Sequence, residues 1–204
     1  MKSLTFSATI VSIMFLFLAC GPQTPKDYSK EVDEGTFSGN IFTSKTLGWS
    51  MEFPSNWIIT SKKSLENLDS RSKEISGDSS NMSGVNRTLA FQKNFNNNFQ
   101  STWENFEGDE TAYKTRIYEI RSMIYENYLN QKITMDTAGT NIQVGQVKFD
   151  CFTLALFDRS HKNYSTQLLL TSLRNGKFMT VTITSDNKED QEKMLGLFKK
   201  STFN

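Results

Sequence analysis

Little in this 204-residue chain can serve reactive chemistry, and most of what is missing excludes a function class. It has one histidine, His161, so a histidine-built metal cage is excluded, and any Ser-His-Asp triad would have to use that residue. No Gly-x-Ser-x-Gly elbow presents a serine, no glycine-rich loop cradles a phosphate, and no Asp-rich loop suits calcium. Of two cysteines, Cys20 lies at the end of the leader and Cys151 in the middle of an apolar stretch, so no disulfide framework is expected. Charge of one sign is also lacking. The chain has 23 basic and 22 acidic residues, and Lys2 is the only charge before position 20, so losing the leader leaves the two signs equal. That balance offers no basic face for nucleic acid, and no nucleic-acid partner is expected.

What is present first concerns location. Residues 1–19 have a positive start at Lys2, an apolar run and a small residue at Ala19, the layout of a secretory signal. The run is short for a membrane span, and Gly21-Pro22 stops any helix after it. Phe17-Leu18-Ala19-Cys20 resembles the bacterial lipobox, with Phe17 departing from the usual Leu, and implies a diacylglyceryl thioether on Cys20. Two or three acyl chains, at about 0.8 kcal/mol per buried methylene, hold a protein on a membrane almost permanently. Residues 20–35 then read as lipidated cysteine and flexible tether, polar and without hydrophobic period. A coil of that length reaches roughly 20 to 25 Å on average. Gly21 after the cysteine resembles the outer-membrane sorting pattern of double-membraned bacteria.

Residues 36–204 are long enough for a single domain with its own core. Its clearest part is C-terminal: strands at 144–157, 164–174 and 178–185, then a helix at 187–200 capped by Asp186, with Glu189 completing a capping box. Asn175-Gly176 joins the last two strands and suits a type I′ turn, because both residues tolerate positive φ. Upstream, 41–54 reads as a hairpin around Leu47-Gly48, with Trp49, Met51 and Phe53 on one face. A helix is expected at 62–75, a loop at 77–84, a strand at 88–93, a turn at Asn96-Asn97 and a strand at 99–106. Phe91, Phe95, Phe99, Trp103 and Phe106 also fit a helical stripe, but the run Asn96-Asn97-Asn98 disfavours a helix interior. Residues 109–131 form the clearest helix, capped by Asp109, with Tyr113, Ile117, Ile120, Ile124 and Tyr128 on its buried stripe. A short strand at 133–137 should end in an Ala138-Gly139 turn.

Phe53-Pro54-Ser55-Asn56-Trp57 after a hairpin, the Gly145 to Phe149 strand start, and a last strand pair leading into a helix that ends Ser201-Thr202-Phe203 together resemble the PsbP-like superfamily. The resemblance implies an α/β/α sandwich, of α+β type, around a central, mainly antiparallel sheet. Members of that superfamily include the extrinsic PsbP subunit of photosystem II, a Ran-binding nuclear protein and bacterial envelope lipoproteins, and they act mostly by docking to other proteins. No functional motif of theirs can be carried over to residues here. The expectation is a non-enzymatic, lipid-anchored envelope protein presenting its domain for protein docking or complex assembly, with no catalytic, metal or cofactor residue. The alternative is a small-ligand-binding lipoprotein with an aromatic cleft between sheet and helix.

Overall fold

Asn175 and Gly176 adopt φ of +51° and +69°, the pair of positive values that a two-residue hairpin needs, and the strands they join pair in register from Lys177 opposite Arg174 to Ser185 opposite Thr166. Around this hairpin the computed structural model describes Val32, residues 34–64, Glu66 and residues 84–204. In chain order the strands and helices are β1 Thr36–Ser38, β2 Ile41–Ser44, β3 Trp49–Glu52, β4 Ile58–Ile59, β5 Asn86–Asn94, β6 Asn97–Asn105, α1 Glu110–Asn130, β7 Thr134–Val144, β8 Val147–Phe157, β9 Asn163–Arg174, β10 Lys177–Ser185, α2 Lys188–Lys200 and β11 Thr202–Phe203. Seven strands form one sheet in the order β4-β5-β6-β10-β9-β8-β7, with every neighbouring pair antiparallel.

The strands alternate, so each has two faces with different partners. Met179, Val181 and Ile183 of β10, Leu168 and Leu170 of β9, and Phe91, Phe99 and Trp103 of the β5–β6 hairpin belong to one large core. Met194 and Phe198 of α2 complete it, both wholly buried, together with Phe42, Trp49 and Met51 of the β2–β3 hairpin. The Phe198 ring centre lies 6.2 Å from that of Trp49, 6.0 Å from Phe99 and 5.1 Å from Phe149, so it packs α2 against the β2–β3 hairpin and the large sheet at once. On the opposite face α1 sets Tyr113 and Ile117 over Phe178, with Phe106, Ile120 and Leu173 around them. The layers are therefore α2, sheet, α1: an α+β sandwich about an antiparallel sheet.

One difference from the expected single sheet is that β1, β2, β3 and β11 form a second, four-stranded sheet on the α2 side. It joins the chain's first described strand to its last, since Thr202 and Phe203 pair with Ser50 and Trp49. Two residues read as tether also contribute here. Val32 lies in the large core, and the Glu34 carboxylate accepts hydrogen bonds from Ser44 Oγ at 2.7 Å and from the Thr46 amide at 3.2 Å.

Four local expectations are corrected. Strand β7 continues through Ala138 and Gly139, which face Thr153 and Phe152 in an unbroken ladder, and the chain turns instead at Gly145, so β8 begins at Val147 rather than at 144. As a largely exposed edge strand, β7 has too little alternation to show its length. The β5–β6 turn is Phe95-Asn96, one residue earlier than expected, because Asn97 is wanted as a buried strand residue. The cap of α2 is Asn187, not Asp186: its side chain accepts from the Asp190 amide at 2.9 Å, while Asp186 accepts from Asn97 Nδ2 at 2.8 Å and Asn96 Nδ2 at 3.1 Å. Of the α1 stripe, Tyr113 and Ile117 are buried, while Ile120, Ile124 and Tyr128 are half-buried. Asp109 caps α1 as expected, accepting from the Ala112 amide at 2.9 Å. Of the expected helix at 62–75, residues 62–64 and 66 are helical and the remainder lies outside the described residues, as does the 77–84 loop except Gly84.

Gly35 fixes how the chain enters the domain. Its φ is +116°, and a Cβ there would run into the wholly buried Phe42 ring. Gly35→Ala is expected to cost about 2 to 3 kcal/mol, combining backbone strain with overpacking. Gly139→Ala, with nothing within 4 Å of the added carbon, should be neutral or slightly stabilising if β7 is extended there. Urea unfolding of both variants checks the pair, and a large loss at Gly139 would contradict the continuous strand.

Candidate functional site

The residues singled out from the sequence do not converge. Cys20 lies outside the described residues. His161 sits exposed in the β8–β9 turn with φ +59°, where its amide donates to the Asp158 carbonyl at 3.0 Å. Cys151 is buried in the core side of β8, and burial pushes its thiol up, opposing the thiolate needed for nucleophilic chemistry. Glu110 makes an exposed 3.4 Å ion pair with Lys114. Asp190 is buried in the first turn of α2, 2.8 Å from Lys93 Nζ; burial works against its charge, but hydrogen bonds from Lys93 and Asn187 outweigh it and hold the carboxyl below the ordinary range. Among the described residues no group of three or more His, Cys, Asp or Glu side chains is placed to hold a metal ion. No helix among them is long and apolar enough to cross a membrane.

What the fold does create is a groove of about 400 Å³ on the α1 side of the large sheet. Helix α1 covers only part of that face. The cross-strand register explains what remains open: Gln92 pairs with Asn98, Asn98 with Thr184, Thr184 with Gln167, and Gln167 with Leu154. Residues in register share a face, so this row is amide and hydroxyl over four strands and turns apolar only at β8, where Leu154 is buried. The next row turns apolar one strand sooner, with Gln100 and Thr182 in register with Leu169 of β9 and Phe152 of β8. The opposite sides of the same strands carry Phe99, Ile183 and Leu168 into the core, so the polar row is fixed to the outer face by the burial of its neighbours.

The walls are aromatic. Phe95, at the tip of the β5–β6 turn, is 77% exposed, and Tyr164 at the start of β9 is 42% exposed. Tyr128 leans in from the last turns of α1; burial pushes its phenol up while a hydrogen bond from Gln167 works the other way. Thr60, Asn96, Leu156 and Ser165 also line it, and among the described residues the lining contains no charged side chain. Beneath the rim, Asn97 is almost fully buried and accepts from Ser185 Oγ and Asn187 Nδ2 while donating to Asn94 Oδ1 and Asp186 Oδ1. That network ties the β5–β6 turn, and with it Phe95, to the start of α2. The segment 91–106 thus divides: Phe91, Phe99 and Trp103 are core, Phe106 is partly buried under α1, and Phe95 alone faces the groove.

Sequence reasoning missed the groove residues. Asn98, Gln100 and Thr102 alternate with Phe99, Ser101 and Trp103, which marks a polar face. That Gln167 and Thr184 continue the same face depends on pairing between distant strands, and no local pattern states it.

No protein-family profile matches the chain, and no curated protein matches it. Solved structures do. The solution structure of cyanobacterial PsbP (CyanoP) from Synechocystis sp. PCC 6803 aligns with TM-score 0.51 at 12% identity, over 82% of this chain and 95% of that one. A crystal structure from Bacteroides thetaiotaomicron VPI-5482 aligns with TM-score 0.44 at 14% identity, over 82% of this chain and 49% of that one. The first likeness shows the fold: it is PsbP-like, as the sequence resemblance implies.

Proposed function

We propose that this chain is a lipid-anchored, non-enzymatic protein of the bacterial envelope that works by binding, and that its binding site is the groove between α1 and the β5–β6 end of the large sheet. The observation that carries the reading is the uncharged polar row Gln92, Asn98, Thr184 and Gln167 set between exposed aromatic walls, in a depression large enough for a small ligand. Among the described residues nothing in the lining has the pairing of nucleophile and base, or of two carboxylates, that a reaction would use. The anchor rests on the Phe17 to Cys20 segment and the leader before it.

Two measurements test this. Phase partition in detergent should place the wild-type chain with the membrane fraction and a Cys20→Ala form elsewhere; equal partition would remove the anchor. Thermal unfolding in the presence of fractionated envelope extract should reveal a fraction that stabilises wild type but leaves Phe95→Ala unchanged, since a ligand bound to the folded state alone raises the midpoint. Stabilisation of both proteins to the same extent would place the site elsewhere.

A second reading, docking of a partner protein, is favoured by the outer face of α1. There Tyr118 is 73%, Tyr125 42% and Leu129 56% exposed, at helical spacing. Tyr118→Ser combined with Leu129→Gln separates the readings, because it should leave groove binding intact.

A further inference from the structure

The groove's chemistry also selects among ligands. We infer that it binds a neutral carbohydrate, a run of hexopyranose units, an assignment that rests on the groove being the binding site.

Charge decides first. Among the described residues no Lys, Arg, His, Asp or Glu lines the groove. A nucleotide, phosphate or carboxylate ligand would bring charge into a site with no fixed counter-charge, where affinity for such groups ordinarily comes from Arg, Lys or a helix N-terminus. A cationic ligand would meet the same lack of carboxylates. Polarity decides next. The floor is amide and hydroxyl from β5 across to β9, so a fully apolar ligand would strip water from these groups without replacing its hydrogen bonds.

What fits is a ligand dense in hydroxyl groups that also has apolar faces. Side-chain amides suit hydroxyls because each offers donors and an acceptor together, and a hydroxyl can use either. Among the described residues the Gln92 and Gln100 amides have no hydrogen-bond partner, so both are free to engage a ligand. Asn98 uses its amino group internally, donating to the Phe95 carbonyl at 2.9 Å, which leaves its oxygen as an acceptor at the floor. The row from Gln92 to Gln167 crosses four strands, roughly 14 Å at ordinary strand spacing, longer than one sugar ring needs.

The aromatic side chains supply the second half. Phe95 stands on a turn tip with most of its ring in water, although the buried Asn97 network holds that turn in place. A large apolar ring kept exposed on a braced support is a platform for a flat, weakly apolar surface, such as the C–H face of a pyranose. Tyr164 flanks the same opening. The groove is partly open to solvent rather than enclosed, so a ligand longer than the row can extend beyond it.

The test is isothermal titration of the full mature chain, in a detergent without a sugar head group, with chitohexaose, maltohexaose and laminarihexaose. Hexagalacturonate serves as the anionic control. At least one neutral hexasaccharide should bind with Kd on the order of 0.1 mM, and hexagalacturonate at least tenfold more weakly. Phe95→Ala should weaken binding roughly tenfold without moving the melting midpoint, as its ring is not part of the core. Gln100→Leu should do the same through a lost hydrogen bond. Failure of all three neutral sugars at millimolar concentration overturns the carbohydrate assignment, and equal binding of hexagalacturonate overturns the selection for neutral ligands. The groove itself is judged separately. If an extract fraction still depends on Phe95 while the sugars fail, only the ligand class falls. If a sugar binds but both variants bind it normally, the groove reading falls.

Discussion

Phe198→Ala is expected to lower stability by about 4 kcal/mol, the largest effect of any single replacement considered for this chain. The ring is wholly buried and lies at the point where α2, the small sheet and the large sheet meet, with Trp49, Phe99 and Phe149 around it at 6.2, 6.0 and 5.1 Å. Truncation removes the ring's transfer energy and its edge and tilted contacts, and leaves a void between layers that cannot close without moving a strand. For a chain of this size the loss corresponds to a fall in the melting midpoint of roughly 8 to 16 °C. Urea unfolding checks it, with Phe95→Ala as the reference: another phenylalanine, 77% exposed, whose loss should stay within about 0.5 kcal/mol. A loss below about 2 kcal/mol at Phe198 would show that the layers are held together elsewhere.

Asn97→Ala is the second. At neutral pH it should cost about 3 kcal/mol, since a buried amide that serves several partners leaves each of them unsatisfied. The replacement also carries a pH signature. Asn97 is the leading cause of the lowered Asp186 pKa, followed by Asn187. A carboxylate whose folded pKa is depressed contributes stability that is whole above its unfolded value near 4 and drains away as pH falls through the folded value. Wild type therefore loses this contribution on acidification, whereas the variant already lacks its leading cause and keeps only the bonds from Asn187, Asn96 and the backbone. The difference between the two proteins should be greatest at pH 5 to 7 and shrink below about pH 4. A gap that stays constant down to pH 3 would mean that Asp186 takes no part.

The two replacements also separate what could be read from the sequence and what could not. The Asn175-Gly176 hairpin, the α1 cap at Asp109 and the apolar side of α2 were legible because each is settled by neighbouring residues. The cap of α2 was displaced by one residue for a tertiary reason: Asp186 has the right chemistry, but its oxygens are taken by Asn96, Asn97 and Asn187. Strand β7 was cut short because an exposed edge strand carries no clear alternation, so Ala138-Gly139 resembled a turn. The groove was illegible for a stronger reason. Its floor takes residues from β5, β6, β10 and β9, strands that lie between positions 86 and 185 and meet only by pairing, and its vacancy depends on where α1 stops covering the sheet. The aromatic walls were equally ambiguous, since Phe91 and Phe95 look alike in sequence, yet one is a core residue within β5 and the other stands on the turn that follows it.

The layer order also has a directional consequence. The chain enters the described domain at Val32 and β1, on the α2 side of the large sheet, and the groove opens on the α1 side. Whatever precedes Val32 therefore joins the domain behind the large sheet, and the incoming chain and a ligand in the groove do not compete for the same described face. Length or bulk added ahead of the domain would leave the groove's mouth clear, so a carrier protein or a solid support can be fused upstream of residue 32 without blocking the face on which binding is measured.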